Sequence, residues 1–337
     1  MENTDNNTPQ AAPLFGEQGY ISGSTVKIIA VIAMFIDHTA AAVIARYLVH
    51  GIQTAIAAGT AHAWEQEHTA LYEAYYFMRD IGRLGFPIFC FLLVEGFHRT
   101  RNVRKYALRL GIFALISELP FNLAICGQVC NPGYQNVYFT LLSGLVALCA
   151  FRFLETYANA GKKDMPALLR ILFLVTGILL PAVFVHISDT LNIAGQKKRF
   201  IACVLVSGVL IIGLFLCGMR HGLRRAEAIG ANLTALSLCM IAAELLCTDY
   251  AGMGVLTIAV MYLLRRHRVL SMAAGCAVLS VMTLSELPAF FAVIPIALYN
   301  GRRGLKMKYF FYAFYPLHLA LLYIVAVLMG LGGVALL

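Results

Sequence analysis

Two adjacent ionisable residues, Asp37 and His38, lie in the middle of an apolar segment that runs from residue 24 to residue 49. The segment is long enough to cross a bilayer, and charged groups at that depth are costly, so they predict a functional site. An imidazole gains and loses a proton near neutrality, so His38 is a candidate general base. Because consecutive helical residues point about 100° apart, each of the two needs a partner from another helix.

Other strongly polar residues lie in or beside the remaining apolar segments. Toward one surface they are Arg83, Glu118, Asn136, Asp249 and Glu286, and toward the other Glu95, His98 and His318. Such groups must face one another or water, so the set predicts a lined cavity. Structural ion pairs, such as Asp37 with Arg83, explain single residues equally well. His318 follows Pro316, so a role at a helix kink is as good an explanation as catalysis.

The composition predicts an all-α polytopic membrane protein. Of 337 residues, 60% are hydrophobic and 13% are charged, and mean hydropathy is +0.77. We expect a disordered polar tail over residues 1–23 and one transmembrane domain over residues 24–337, with about 10 or 11 helices. The predicted spans are 25–48, 79–97, 106–126, 137–157, 168–186, 200–219, 229–247, 253–264, 270–283, 288–299 and 310–334.

Basic residues concentrate in loops that eleven spans would place on one side of the membrane. These loops cover residues 99–109, 152–170, 220–225, 265–268 and 302–308. The positive-inside rule makes that side cytoplasmic, with the N-terminus inside and the C-terminus outside. Only Lys197, Lys198 and Arg199 break the pattern.

Two of the basic loops are dense enough to bind the phosphate groups of a ligand. The candidate residues are Arg99, Arg101, Arg104, Lys105, Arg302 and Arg303. The positive-inside bias alone explains a basic loop as well, so both explanations stay open. The sequence has no metal-ligand spacing, no phosphate-binding glycine loop and no nucleophile elbow. It predicts no metal ion and no nucleic-acid partner.

Several short motifs, in the same order from residue 27 to residue 318, resemble the TraX family of integral membrane proteins. They are Lys27-Ile28-Ile29-Ala30, Asp37-His38, RDIGRLGFPIFCF from Arg79, Val94-Glu95-Gly96-Phe97, Thr100-Arg101-Asn102, Ser117-Glu118-Leu119-Pro120-Phe121, Asn136-Val137-Tyr138-Phe139-Thr140-Leu141, Asp249-Tyr250, Tyr299-Asn300-Gly301, Lys308-Tyr309 and Phe314-Tyr315-Pro316-Leu317-His318-Leu319. The resemblance is weak between residues 153 and 243. Asn122 stands where the family is expected to have an acid.

The name-giving TraX protein acetylates the N-terminus of a conjugative pilin, and the family is similar in plan to wider transmembrane acyltransferases. The resemblance implies transfer of an acetyl or longer acyl group from cytoplasmic acyl-CoA to an amine or hydroxyl beyond the outer face. The acceptor would be a pilin-like N-terminus or an envelope glycan. The implied location is a bacterial cytoplasmic membrane, and a homodimer is left open.

The resemblance also implies roles for the residues. His38 would act as general base or accept the acyl group itself, and Asp37, Arg83 and Glu118 would tune and orient it. The basic loops would hold the nucleotide end of acyl-CoA, and the outer acids with Asn136 would line an acceptor vestibule. Two other functions stay open: a proton-coupled transporter or flippase that uses the same acids and histidines, and a structural subunit of an envelope complex.

Overall fold

The computed structural model describes residues 19–159, 166–191, 193–305 and 308–334. In these ranges the chain is helical and has no β-strand, only two isolated bridges. The α-helices are α1 Gly23–Thr39, α2 Ala45–Ala57, α3 Ala61–Glu67, α4 Thr69–Gly82, α5 Gly85–Arg99, α6 Val103–Phe121, α7 Val137–Asn159, α8 Ala167–Ile187, α9 Gln196–His221, α10 Leu223–Leu245, α11 Ala251–Leu263, α12 Arg268–Met282, α13 Val293–Ala297 and α14 Lys308–Leu328. Two π-helical turns, Ala40–Ile44 and Asn122–Cys126, continue α1 and α6, and a 3₁₀ segment, Leu284–Ala292, precedes α13.

Seven helical stretches of the described chain are long and apolar enough to cross a membrane. They are Gly23–Ala57, Val103–Cys126, Val137–Thr156, Ala167–Ile187, Gln196–His221, Leu223–Leu245 and Tyr309–Leu328. Three apolar stretches are shorter, Ala251–Leu263, Arg268–Met282 and Leu284–Ala297. Each of the eleven predicted spans falls on one of these ten stretches or on the α4–α5 pair. The all-α polytopic prediction is confirmed, although a helix of 13 residues, about 20 Å long, is shorter than a typical bilayer core.

The core lies between α1, α5, α6, α7, α11, α12 and α14. Their facing side chains form one continuous apolar cluster, in which Val26, Phe97, Leu145, Ile258 and Leu319 are fully buried. Helices α8, α9 and α10 form a second layer that packs on α7 through α10. Helix α9 lies outermost, and its large apolar side chains are exposed as a lipid-facing helix requires.

A buried arginine connects the two π-helical turns. Arg46 is fully buried and donates to the carbonyl oxygens of Ala42, Leu123 and Val334 at 3.5, 2.6 and 3.3 Å. Ala42 and Leu123 each belong to one π-helical turn, where the altered hydrogen-bond pattern exposes backbone carbonyls. These carbonyls offset the cost of burying the charge. The first π-helical turn begins two residues after His38. The hydrogen bonds of Arg46 therefore fix the helix that carries His38.

The basic loops meet at one end of the helix bundle. Arg152 donates to the carbonyl of Phe97 at 2.8 Å, next to the basic loop that follows α5. Arg268 donates to the carbonyl of Tyr299 at 3.3 Å and stacks over its ring. The part of α7 around Arg152 and the described loops after α5, α11 and α13 therefore form one basic surface.

The tail predicted over residues 1–23 is described from residue 19 onward. Residues 1–18 lie outside the described residues, so this part of the prediction stays a prediction. Ile21, however, pairs with the loop after α13, through its amide to Leu298 at 3.1 Å and through its carbonyl to Asn300 at 2.9 Å. The amide of Gly23 binds the carbonyl of Arg302 at 2.8 Å. Backbone pairing therefore orders the last residues of the tail and starts α1 at the basic end.

We predict that the contact between α8 and α10 tolerates no side chain at Gly177. A Cβ there would lie 2.6 Å from the carbonyl oxygen of Gly230, so Gly177→Val would force the two helices apart. Overpacking of this kind costs about 1–3 kcal/mol. Thermal unfolding in detergent should show a clearly lower Tm. Gly208→Val on lipid-facing α9, where nothing lies within 4 Å, is the matched control and should leave Tm unchanged. Equal Tm values for both variants would contradict the packing described.

Candidate active site

Two histidines from opposite ends of the chain form a hydrogen-bonded pair. His38 Nδ1 lies 2.6 Å from His318 Nε2, and His318 Nδ1 lies 2.7 Å from the carbonyl oxygen of Phe314. A carbonyl only accepts, so His318 Nδ1 carries a proton and, in the neutral ring, Nε2 is an acceptor. His38 Nδ1 must then donate to it. The free lone pair of the histidine pair is therefore on His38 Nε2, which is what a general base requires.

Aromatic rings hold the two imidazoles in place. The rings are nearly parallel, with centroids 4.9 Å apart. Phe314 stacks on His318 at 4.7 Å, and Tyr315 meets both imidazoles edge-on at 5.8 and 5.7 Å. His318 is buried, and the side chain of His38 is 14% exposed. The sequence interpretation placed His318 nearer the cytoplasm than His38, and this is corrected by the direct contact between them.

Asp37 pairs with Arg79 instead of the expected Arg83. Its Oδ1 lies 2.8 Å from Arg79 Nη1, and its Oδ2 lies 3.9 Å from His38 Nε2. Gly82, one turn from Arg79 on α4, abuts Asp37 so closely that a Cβ would overlap the carboxylate. The absent side chain lets α4 approach α1 and brings Arg79 to Asp37. Asp37 thus stands near the free nitrogen of His38 without forming a hydrogen bond to it.

Arg83 pairs with Glu286 across the site. Arg83 Nη1 lies 2.8 Å from Glu286 Oε1, and the glutamate side chain is only 2% exposed. The second carboxylate oxygen, Oε2, is buried and has no hydrogen-bond partner among the described residues. Tyr250, whose ring stacks on Phe86 at 3.7 Å, lies beside the guanidinium group. Glu286 therefore has an unused acceptor inside the protein.

Asp249 completes this polar cluster from the loop before α11. Its Oδ1 accepts a hydrogen bond from the hydroxyl of Tyr134 at 3.0 Å, and its carbonyl accepts one from Thr140. The entry to α11 is strained, because two non-glycine residues of the loop, Cys247 at 50° and Tyr250 at 60°, and the first residue of α11, Ala251 at 42°, have positive φ. Strain of this kind concentrates at functional sites.

The polar cluster therefore contains three carboxyl groups and two guanidinium groups. Its charged members are Asp37, Asp249, Glu286, Arg79 and Arg83, and each carboxyl group lies within electrostatic reach of both arginines. The formal charge is negative by one if all five groups are ionised.

A cavity of about 490 Å³ opens at the basic end of the bundle. Its walls include five cationic residues, Lys27, Arg99, Arg101, Arg109 and Arg303, but a single acid, Glu95. Among the described residues, only Arg99 of the five forms an ion pair, with Glu95 at 2.7 Å. Six aromatic rings complete the walls, Phe89, Tyr106, Tyr138, Tyr299, Phe311 and Tyr312. The cavity suits an anionic ligand with an aromatic or apolar body.

The far wall of the cavity touches the surroundings of the histidine pair. The ring of Tyr138 lies 5.0 Å from that of Tyr315, which contacts both imidazoles. The hydroxyl of Tyr138 donates to the carbonyl of Tyr312 at 3.3 Å. Pro316, four residues after Tyr312, has no amide hydrogen, so this carbonyl lacks its helical partner. The proline in α14 thereby anchors the tyrosine through which the cavity wall contacts the surroundings of the histidines.

A family model described as TraX protein matches residues 22–221 and 209–326. The chain belongs to the TraX family. One curated relative, named "Probable fimbrial assembly protein FimC, serogroup H1" from Dichelobacter nodosus, is 25% identical over 313 residues, which cover 89% of this chain and 94% of the relative. No solved structure matches the chain.

The TraX motifs identified in the sequence contribute to both the histidine pair and the cavity. Of the residues proposed to hold phosphates, Arg99, Arg101 and Arg303 line the cavity, whereas Arg104, Lys105 and Arg302 are exposed outside its lining. Glu95, expected along one continuous polar path, lies in the cavity wall and pairs with Arg99. Among the described residues, no group of three or more histidine, cysteine, aspartate or glutamate side chains is placed to hold a metal ion.

Glu118 and Asn136 form a separate group of their own. The side-chain amide of Asn136 donates to Glu118 Oε2 at 2.5 Å and to the carbonyl of Ala114 at 2.9 Å. Asn122 donates to Glu118 Oε1 at 3.3 Å. These hydrogen bonds join the end of α6 to the start of α7. Glu118 was expected to orient His38, but among the described residues no hydrogen bond joins the two side chains.

Several residues of the site were not singled out as site residues in the sequence. They are Lys27, Arg79, Arg109, Tyr134, Tyr138, Tyr250 and Tyr315. Tyr138, Tyr250 and Tyr315 belong to the TraX motifs, so their place in these motifs could have identified them as candidate site residues. Arg79 is four residues from Arg83 and therefore shares its helix face, which is the pattern that places both at one site.

We predict strong coupling between Arg83 and Glu286. Arg83→Gln leaves a buried carboxylate without its partner, which typically costs about 3–5 kcal/mol of unfolding free energy. The double variant Arg83→Gln/Glu286→Gln should lose less than Arg83→Gln alone. Unfolding free energies in mixed detergent micelles, arranged as a double-mutant cycle, measure the coupling.

The matched control for this cycle is Asp189→Asn. Arg199 breaks the predicted loop pattern and pairs at 2.7 Å with Asp189, whose side chain is 93% exposed. An exposed pair contributes about 0–1 kcal/mol, so this variant should change little. Additive losses in the Arg83 and Glu286 cycle would contradict the buried ion pair.

Proposed function

We propose that this TraX-family membrane protein is an acyltransferase. It would move an acyl group from acyl-CoA in the basic cavity to an amine acceptor at the polar cluster, with His38 as general base. The observation that carries the proposal is the position of the histidine pair. The pair lies between an aromatic-lined cavity, most of whose cations have no ion-pair partner among the described residues, and a polar cluster of acids, and Tyr138 of the cavity wall packs on Tyr315, which contacts both imidazoles.

The cavity has the chemistry that a CoA thioester requires. The ligand carries phosphates at its nucleotide end and a long, uncharged arm that ends in the thioester. Arg101 and Arg303 lie in the basic loops at the cavity mouth, and aromatic rings line its interior. On α5 the lining extends from Phe89 to Arg99, a rise of about 15 Å. The phosphates would stay at the mouth, and the thioester would approach Tyr138.

His38 would take the proton of the attacking amine. As the amine nitrogen bonds to the thioester carbonyl carbon, His38 Nε2 accepts a proton from it, and the carbon–sulfur bond breaks. The imidazolium then gives this proton to the departing thiolate, so the products are an amide and free CoA. His318 keeps the His38 ring oriented through the hydrogen bond to His38 Nδ1. Asp37, whose Oδ2 lies 3.9 Å from His38 Nε2, stabilises the His38 imidazolium. In the alternative course, Nε2 itself accepts the acyl group before the amine attacks.

The charges of the polar cluster favour a cationic acceptor. Three carboxyl groups against two guanidinium groups attract an ammonium group, and the unused oxygen of Glu286 would take one proton from it, so that the neutral amine attacks the thioester and His38 takes the second proton. An amine at a protein N-terminus fits better than a glycan hydroxyl, which carries no charge. The name of the D. nodosus relative supports a fimbrial or pilus subunit as the carrier of that amine.

The proposed location is a bacterial cytoplasmic membrane. The single basic surface at one end of the bundle would face the cytoplasm, where acyl-CoA is made, according to the positive-inside rule. The polar cluster would then lie on the side of the histidine pair away from the cytoplasm, where the acceptor arrives. This arrangement explains why donor and acceptor groups lie on different sides of the histidine pair.

Loss of His38 should abolish acyl transfer without loss of donor binding. The purified protein in lipid nanodiscs, supplied with labelled acetyl-CoA and a peptide with a free N-terminus, should form acetyl-peptide. His38→Ala should slow turnover roughly 100-fold or more, the usual contribution of a general base. His221→Ala, at the exposed end of α9, is the matched control and should keep full activity. Binding of acetyl-CoA without acetyl transfer, in the wild type and in every variant, would argue for a protein that only carries acetyl-CoA. Proton-coupled uptake of a substrate in the absence of acetyl-CoA would favour the transporter.

Donor affinity should depend on the cations that line the cavity and not on neighbouring cations outside its lining. Arg109→Gln and Arg101→Gln each remove a charge that lines the cavity, so each should raise the Kd for acetyl-CoA roughly 10-fold or more. Arg104→Gln removes an exposed charge from α6, the helix that carries Arg109, and should change Kd less than 3-fold, about the effect of a solvated charge. Equal effects of all three variants, measured by calorimetric titration, would place the donor elsewhere.

A further inference from the structure

Tyr138 lies at the inner end of the cavity. Helix α7 starts at Val137, and its other end is fixed at the basic surface by the bond from Arg152 to Phe97. Tyr138 is fourteen residues from Arg152, which places it about 21 Å from that surface along the helix. Leu141 is the second residue of α7 in the cavity wall and lies one turn nearer the mouth. A ligand that enters from the basic surface therefore reaches Tyr138 last.

Tyr138 is held firmly in this position. Its hydroxyl is bound by the carbonyl of Tyr312 that Pro316 leaves without a helical partner. Its ring packs edge-on against Tyr315, and both tyrosines are buried. The ring cannot swing away without breaking the hydrogen bond and opening a gap beside the histidines. The Tyr138 ring therefore occupies a fixed place at the inner end of the cavity.

We propose that Tyr138 determines the acyl chain length that the protein accepts. Its ring limits the room beyond the thioester, so that a two-carbon acyl group fits and each added methylene meets the ring. The inference rests on the proposed function, because it assumes that the cavity holds acyl-CoA with the thioester inward. It assigns to Tyr138 a role in substrate selection that is separate from proton transfer at His38.

The other cavity residues do not explain such selection. Tyr106, Arg109 and Leu110 lie within about two turns of the start of α6, and Phe311 lies in the first turn of α14. Phe89 is about 15 Å along α5 from Arg99, whereas Tyr138 is about 21 Å along α7 from Arg152. Residues nearer the basic surface contact the uncharged arm, which is the same in every acyl-CoA. Only the residue beyond the thioester meets the part that differs, because the acyl group extends the ligand at its inner end.

The test compares the binding of CoA, acetyl-CoA, butyryl-CoA and hexanoyl-CoA to the full-length protein in nanodiscs. The wild type should bind acetyl-CoA and reject butyryl-CoA, since each misfitting methylene costs roughly 10-fold or more in discrimination. In Tyr138→Ala the ratio of the butyryl-CoA Kd to the acetyl-CoA Kd should fall at least 10-fold. Tyr138→Leu, which keeps an apolar side chain at the site, should shift the ratio in the same direction if the alanine variant does not fold.

Two controls separate the ring from its hydroxyl and from a general loosening of the cavity. Tyr138→Phe keeps the ring and should keep the wild-type ratio. Leu141→Ala enlarges the same wall one turn nearer the mouth and should leave the ratio unchanged. Free CoA should bind the wild type and all folded variants with similar Kd values.

The outcomes distinguish the two proposals. If CoA binds but neither Tyr138→Ala nor Tyr138→Leu changes the ratio, the role of Tyr138 is overturned and the proposed function stands. If Leu141→Ala shifts the ratio as much as Tyr138→Ala, selection does not reside at Tyr138. If neither CoA nor any acyl-CoA binds the folded wild type, the donor assignment itself fails.

Discussion

The hydrogen bond between His38 and His318 is the interaction on which the site depends. It joins α1 to α14, and so connects the first and last long spans of the chain. The carbonyl of Phe314 fixes the proton on His318, His318 fixes the proton on His38, and a single free lone pair results. Each donor has an acceptor, so two imidazoles are accommodated in an apolar bundle without an unsatisfied polar group between them.

Charges are distributed differently on the two sides of this pair. In the polar cluster, both arginines have carboxylate partners at 2.8 Å, as buried charges require. In the cavity at the basic end, Lys27, Arg101, Arg109 and Arg303 have no carboxylate within ion-pair distance among the described residues. Cations close to the loops can remain hydrated until an anionic ligand replaces the water. The paired charges build the site, whereas the unpaired ones are available for binding.

Helix irregularities determine where these groups meet. Pro316 releases the carbonyl that holds Tyr138, and the π-helical turn after His38 releases one that Arg46 binds. Gly82 lets α4 come close enough to α1 for the ion pair of Asp37 with Arg79. Each irregularity is encoded by one or a few residues, yet its effect is to bring together segments far apart in the sequence.

The sequence was sufficient for the fold class, because hydropathy over about twenty residues is a local property. It also predicted His38, His318 and three of the cavity cations, since ionisable residues in apolar segments and dense basic loops are visible locally. It did not predict which groups pair. The choice of Arg79 over Arg83 depends on the close approach at Gly82, and the separation of Glu95 from the acids of the polar cluster depends on where α5 packs. Pairing of this kind follows from tertiary packing, which hydropathy does not encode.

A cryo-EM map of the protein in nanodiscs with a non-hydrolysable acetyl-CoA analogue tests the central claim most directly. The account predicts the nucleotide phosphates beside Arg101 and Arg303, the thioester-like group at Tyr138, and the two imidazoles of His38 and His318 in hydrogen-bond contact. An empty cavity at a saturating concentration of the analogue, or imidazoles that lie apart, would contradict it.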